Sequence, residues 1–125
     1  MIRSAAFAFA VAFAAYVAPS MALAQEAPPT YVADPGVYKL IFEDPIFRVI
    51  AATWKPGQTD KPHSHPVPSV VYPLTDCTIK VTPAWGEPRI VKTKAGHPAT
   101  VPYEASHTAT NLSRWTCRAV FVDHK

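Results

Sequence analysis

His63 and His65 are separated by one residue, so in an extended segment both imidazoles point to the same side and can meet a single ion. Imidazole is the commonest side-chain metal ligand at neutral pH. Taken alone, the pair also reads as two solvated histidines in a loop, because Pro62, Pro66 and Pro68 surround it. Of the other histidines, His97 lies between the turn residue Gly96 and a proline and His124 lies close to the C-terminal residue, which makes both surface positions. Trp54, Tyr72 and Tyr103 are candidates to line a pocket, with ordinary core packing as the alternative at strand spacing.

These side chains must be carried by short strands. From Val37 onward the chain breaks into runs rich in Val, Ile, Thr, Tyr and Phe: Val37 to Phe42, Phe47 to Trp54, Val70 to Leu74, Thr78 to Val81, Arg89 to Lys94, Ala99 to Val101, His107 to Asn111 and Thr116 to Val122. Most of the prolines fall between runs, where a missing N–H removes no ladder bond. Pro73 falls inside one, which predicts an edge strand or a bulge there. No helical stripe longer than two turns follows Ala24, so the expected fold is an all-β antiparallel sandwich or barrel. In the last run Cys117, Ala119 and Phe121 share one face and Arg118, Val120 and Val122 the other.

Residues 1–24 have a different character. Arg3 precedes an uncharged apolar run from Ala5 to Ala18, Pro19 and Ser20 interrupt it, and Ala22-Leu23-Ala24 forms an A-x-A site. This pattern predicts a secretory signal peptide, with an uncleaved anchor as the alternative. The expected organisation is a signal peptide over 1–24, a flexible leader over 25–36 and one domain over 37–125, exported to the periplasm or secreted, with no stable membrane association after cleavage. Arg3 is the only charge in the first segment, so 11 basic and 9 acidic residues remain after it, a formal charge of +2. That small and scattered excess excludes nucleic acid as an expected partner.

Further along, the order of residues becomes more specific. Gly57 stands six positions before His63-Ser64-His65; Gly96, Pro102, His107 and Asn111 then follow in a set order. This resembles the two motifs of the cupin superfamily across almost the whole of residues 25–125. The opening Asp34-Pro35, the Leu74-Thr75-Asp76 stretch and the closing Val120 to Lys125 also look like small cupin-domain proteins. The resemblance implies a single antiparallel jelly-roll barrel and a metal held by His63, His65 and His107. It departs from the motifs in three places: Ser69 or Val70 stands where the first motif carries a glutamate, Asp76 replaces its closing glycine, and Glu104 replaces a glycine of the second.

Three neutral imidazoles suit a divalent transition metal such as iron, zinc, copper, nickel or manganese, with coordination positions left for water or a small molecule. The resemblance thus implies a small-molecule ligand or substrate, with dioxygenase-like or isomerase-like chemistry, a carrier role and a vestigial site as the alternatives; a homodimer is expected by analogy. Glu104 is a weak candidate as replacement carboxylate or general base, against a solvated loop residue. Asn111, four after His107, either hydrogen-bonds that ring to fix its orientation or holds a turn. Cys77 and Cys117 are the only cysteines, and export permits a disulfide between them. The resemblance puts them on neighbouring strands; two buried free thiols are the alternative.

Overall fold

The computed structural model describes residues 12–19 and 25–125. Residues 12–19 are exposed and without regular structure, and the rest of the expected signal peptide lies outside the described residues. Among the described residues no helix is long and apolar enough to cross a membrane.

Among the described residues one short helix, α1 (Thr30–Ala33), precedes nine strands: β1 (Tyr38–Glu43), β2 (Phe47–Trp54), β3 (His63–His65), β4 (Ser69–Pro73), β5 (Cys77–Pro83), β6 (Arg89–Thr93), β7 (Ala99–Val101), β8 (Glu104–Asn111) and β9 (Cys117–His124). They form two antiparallel sheets, β1-β2-β9-β4-β7 and β3-β8-β5-β6. Burial alternates along β5, β8 and β9, as strands with one inward face require. On β9 the inward set is Cys117, Ala119, Phe121 and Asp123, the face expected from period-two spacing. Of these, Cys117, Ala119 and Phe121 share one core with Ile50, Ala52 and Trp54 of β2 and with Ile79 and Val81 of β5. Cys77 and Cys117 are joined in a disulfide, Cα–Cα 6.0 Å, that ties β5 to β9 and hence one sheet to the other.

The all-β, antiparallel expectation holds in this two-sheet form; a continuous barrel does not appear among the described residues. β6 and β7 each have only one hydrogen-bonded neighbour. β7 is three residues long and Pro102 follows it, which limits the ladder it can offer.

Two other expectations are corrected. The Pro73 run is not an edge: β4 lies between β9 and β7. Pro73 is its last residue, paired to Ala119 only, because β7 stops pairing at Val71, so its missing N–H costs no bond. The His-x-His stretch is extended, as strand β3, and its alternative as a solvated loop is excluded. Part of the expected flexible leader is packed, since Thr30 is buried, Ser64 N–H donates to Pro28 O, Ala27 N–H donates to Ala105 O, and Lys61 N–H donates to Asp34 Oδ2. The physical reason is that β3 pairs with β8 on one side only and the Ser64 N–H on its other side needs a backbone partner, which Pro28 O supplies through the Pro29–Ser64 bridge.

Candidate metal centre

His63, His65 and His107 come together, with relative exposures of 0%, 6% and 6%. One nitrogen from each lies within 4.8 Å of the others, against a little over 4 Å for two opposed nitrogens on one ion with bonds of about 2.1 Å. The ring centroids of His63 and His107 are 4.3 Å apart and those of His65 and His107 5.0 Å. Cross-strand register brings this about, as β3 and β8 pair His63 with His107 and His65 with Glu104.

That register takes two steps along β3 and three along β8, which is a β-bulge. In a regular strand, residues three apart face opposite ways, and one extra residue restores a common side. Glu104 and His107 thereby share one side of β8, and Glu104 Oε2 is 3.2 Å from His107 Nδ1 while lying outside the mutually close set of histidine nitrogens. Arg89 Nη2 donates to the same oxygen at 2.9 Å and Nη1 to Oε1 at 3.4 Å.

Hydrogen bonds assign His63. Its Nδ1 lies 2.9 Å from Lys61 O, and since a carbonyl only accepts, Nδ1 carries the proton in the neutral ring and leaves Nε2 as its lone-pair nitrogen. Nε2 faces the Tyr38 hydroxyl oxygen at 3.3 Å, but that hydroxyl donates to Asp60 Oδ2 at 2.7 Å. A buried acceptor without a committed donor fits a cation. His107 Nδ1 is likewise buried without a hydrogen-bond partner, because Glu104 Oε2 lies off the direction an N–H would take. The donor set and these two open nitrogens fit a divalent transition-metal ion.

Asp60 organises the floor of the site and was not singled out in the sequence. It is 3% exposed and accepts from Tyr38 Oη, Trp54 Nε1 at 2.9 Å and Ala109 N–H at 2.7 Å. Nothing local distinguishes it from a solvated loop aspartate, because all three donors come from distant strands. Burial, followed by the negative Asp60, raises the Tyr38 hydroxyl well above its usual range and keeps it a donor. Replacing Asp60 by alanine strands three buried donors, so Asp60→Ala is expected to cost roughly 3 kcal/mol in chemical denaturation. A change below 1 kcal/mol would contradict this role.

Burial also holds the His65 imidazole down to about 4 and His107 to about 2, with His63 the next cause for both and Arg89 adding to it. Both rings are neutral at physiological pH, so no proton need leave before their lone pairs bind a metal. The sign for stability follows. An unfolded imidazole ionises near 6.5, so below that pH the unfolded chain binds more protons than the folded one. Stability is fully present above about 6.5 and is lost as the pH falls toward about 4 for His65 and about 2 for His107. Metal-free protein is expected to lose on the order of 1–2 kcal/mol per ring by pH 5. Thermal melts at pH 7.5 and 5.0 check it, and equal midpoints would refute neutral burial.

Asn111 is fully buried, yet it supports a turn and not the His107 ring. Its Nδ2 donates to Trp54 O, Lys55 O and Trp115 O, and its Oδ1 accepts from Ser113 N–H. Of the two positions where the first motif carries a glutamate, Ser69 is buried and donates to Asp123, and Val70 is 45% exposed. His97 and His124 are exposed, as expected.

The cluster opens on a cleft of about 920 Å³ between the sheets, walled by Trp54, Ile79, Val101 and Phe121. Arg89, Trp85 and Tyr103 stand at its exposed rim. Trp54 is both core and wall, Tyr103 lines the mouth, and Tyr72 is a half-exposed residue that does not line the cleft.

No protein-family model and no curated protein matches the chain. Solved structures do. A cupin domain from Bordetella pertussis Tohama I is 19% identical, over 82% of this chain and 99% of that one, with a TM-score of 0.66. An RmlC-like cupin family protein with a double-stranded β-helix fold from Methanocaldococcus jannaschii is 14% identical over 70% and 78%, TM-score 0.58. A conserved protein with a double-stranded β-helix domain from Klebsiella pneumoniae is 20% identical over 87% and 83%, TM-score 0.56. These likenesses establish the fold, a cupin-type single domain.

Proposed function

Given a cupin-type fold with a buried three-histidine cluster, we propose that this chain holds one divalent transition-metal ion through His63, His65 and His107 and binds or transforms a small molecule in the adjoining cleft. The observation that carries the reading is the convergence of three buried histidines, including the fully enclosed His63, at the base of an open 920 Å³ cleft. A core filled only for stability would leave neither that space nor those unpartnered nitrogens.

An ion bound there supplies Lewis acidity or redox chemistry toward the small molecule, as in dioxygenase-like or isomerase-like reactions. The chain's own contributions are distinct. Lys61 O sets the tautomer of His63, and Asp60 holds Tyr38 and Trp54 in place beside it. Trp54 and Phe121 keep water from the inner wall and suit an apolar or aromatic body. Three uncharged ligands leave the ion's positive charge to attract an anionic or chelating end. The Cys77–Cys117 disulfide supports the further reading that the chain works outside the cytoplasm, where such bridges persist.

The test is metal content of protein recovered from the periplasm, followed by oxygen-uptake and isomerisation assays with catechol-type, thiol and keto-acid compounds. Near-stoichiometric metal with turnover supports an enzyme. Metal with saturable binding but no turnover assigns the carrier role, and absence of metal refutes the proposal.

A further inference from the structure

β6 runs along one lip of the cleft, and its register with β5 sets Arg89 opposite Val81, Val91 opposite Ile79 and Thr93 opposite Cys77. Directly opposed residues share a face, and Val81, Ile79 and Cys77 belong to the core, so Arg89 is the cation that β6 turns inward. We infer that Arg89 is the receptor for a carboxylate, and that the small molecule of the cleft is a carboxylic acid with an apolar or aromatic body. The inference rests on the reading of the cleft as a small-molecule site and names the class of molecule.

Placement and spare donors carry it first. Arg89 Nη2 lies 2.9 Å from Glu104 Oε2, and the same oxygen lies 3.2 Å from His107 Nδ1, so the guanidinium stands one carboxylate away from the histidine cluster. After burial and the neighbouring imidazoles, its charge further holds His65 and His107 below the ordinary imidazole range, so its field reaches the cluster. Glu104 accepts from Nη1 and Nη2 alone. A guanidinium offers five N–H donors in a planar fork, which leaves Nε and one N–H on each terminal nitrogen for a ligand. That fork matches the two oxygens of a carboxylate, and the arginine side chain is 49% exposed, so these donors are reachable from the mouth.

Neither stability nor metal binding accounts for a cation here. An ion pair so exposed contributes little to folding. A fixed positive charge close to three ligands for a dication opposes the ion, and an anion bound beside both turns that cost into attraction. Lys92 and Arg118, by strand alternation, belong to the outer faces of their sheets, and Lys94 lies past the end of β6. The surroundings select the rest of the molecule. Trp85 and Tyr103 present exposed rings at the mouth on which a flat body can stack, and Val91, Val101 and Phe121 make the wall apolar.

The test measures binding of benzoate, phenylacetate and cinnamate, each beside its primary amide, to zinc-loaded protein by calorimetry. Parent, Arg89→Gln, Arg89→Lys and Glu104→Gln are compared at equal zinc occupancy, with melting midpoints as the folding control. The parent is expected to prefer acid over amide by about tenfold or more, and Arg89→Gln to lose about tenfold of that preference while keeping its affinity for the amides. Arg89→Lys is expected to recover part of it, because the charge remains and the fork does not. Glu104→Gln, which frees the fork, is expected to bind the acids at least as tightly as the parent.

A preference for the acids that survives undiminished in Arg89→Gln would overturn the inference and give the carboxylate to the ion instead. Equal loss in Arg89→Gln and Glu104→Gln would overturn it as well, because the pair would then act only by holding the mouth in shape. So would binding of none of the acids by the parent. If the parent holds no zinc, the metal reading fails by itself, and the same comparison on metal-free protein still decides the role of Arg89.

Discussion

Replacing His63 and His107 together by alanine is expected to reduce bound metal from near one equivalent to trace. The two residues face each other across β3 and β8, and their loss leaves one imidazole where three converged. A single exposed or semi-buried imidazole binds divalent ions too weakly to survive dialysis. The effect extends to stability, because an ion that binds only the folded state stabilises it by about 2.7–4 kcal/mol at 100- to 1,000-fold excess over its dissociation constant. For a domain of this size that amounts to on the order of 10–30 °C in melting temperature. Metal addition should therefore raise the parent's midpoint and leave that of the double variant unmoved, each measured from its own metal-free baseline. An equal rise in both would move the binding site elsewhere.

Breaking the Cys77–Cys117 bridge is expected to have the largest effect on the metal-free protein. The bridge spans 40 residues of sequence, for which the loss of unfolded-chain entropy gives roughly 4 kcal/mol. Its position adds to this, since it joins β5 of one sheet to β9 of the other at a point where no strand ladder links them. Thermal unfolding of a Cys77→Ala/Cys117→Ala variant should show a midpoint lower by about 15–30 °C. A fall of only a few degrees would mean that packing of Ile79, Ala119 and Phe121 between the sheets suffices without the link.

Much of this organisation is legible in the residues. The period-two faces of β5, β8 and β9 and the turn glycines are local patterns from which the fold class follows, and the histidine set follows from the resemblance carried by the order Gly57…His63-x-His65…Pro102…His107. The disulfide pairing was constrained because only two cysteines exist. Other features were not legible for a common reason. The role of Asp60 depends on donors 6, 22 and 49 positions away, so no local window contains it. Residues 27–34 read as a polar leader because their partners, Ser64, Ala105 and Lys61, lie far along the chain. Asn111 fell on the correct face of its strand, yet its side chain serves backbone carbonyls and not the neighbouring ring.

By itself, the sequence determined the all-β class and the shared side of His63 and His65, while His107 joined them through the resemblance. The first two depend on side-chain chemistry and on the two-residue period of an extended chain, both local properties. Only the tertiary structure decided that β3 and β8 meet with a bulge, and therefore that Glu104 joins His107 on one side. It also left β6 and β7 as separate edges beside a cleft instead of a closed barrel. Register and closure arise from pairing between distant strands, where one extra residue reverses every side chain that follows it.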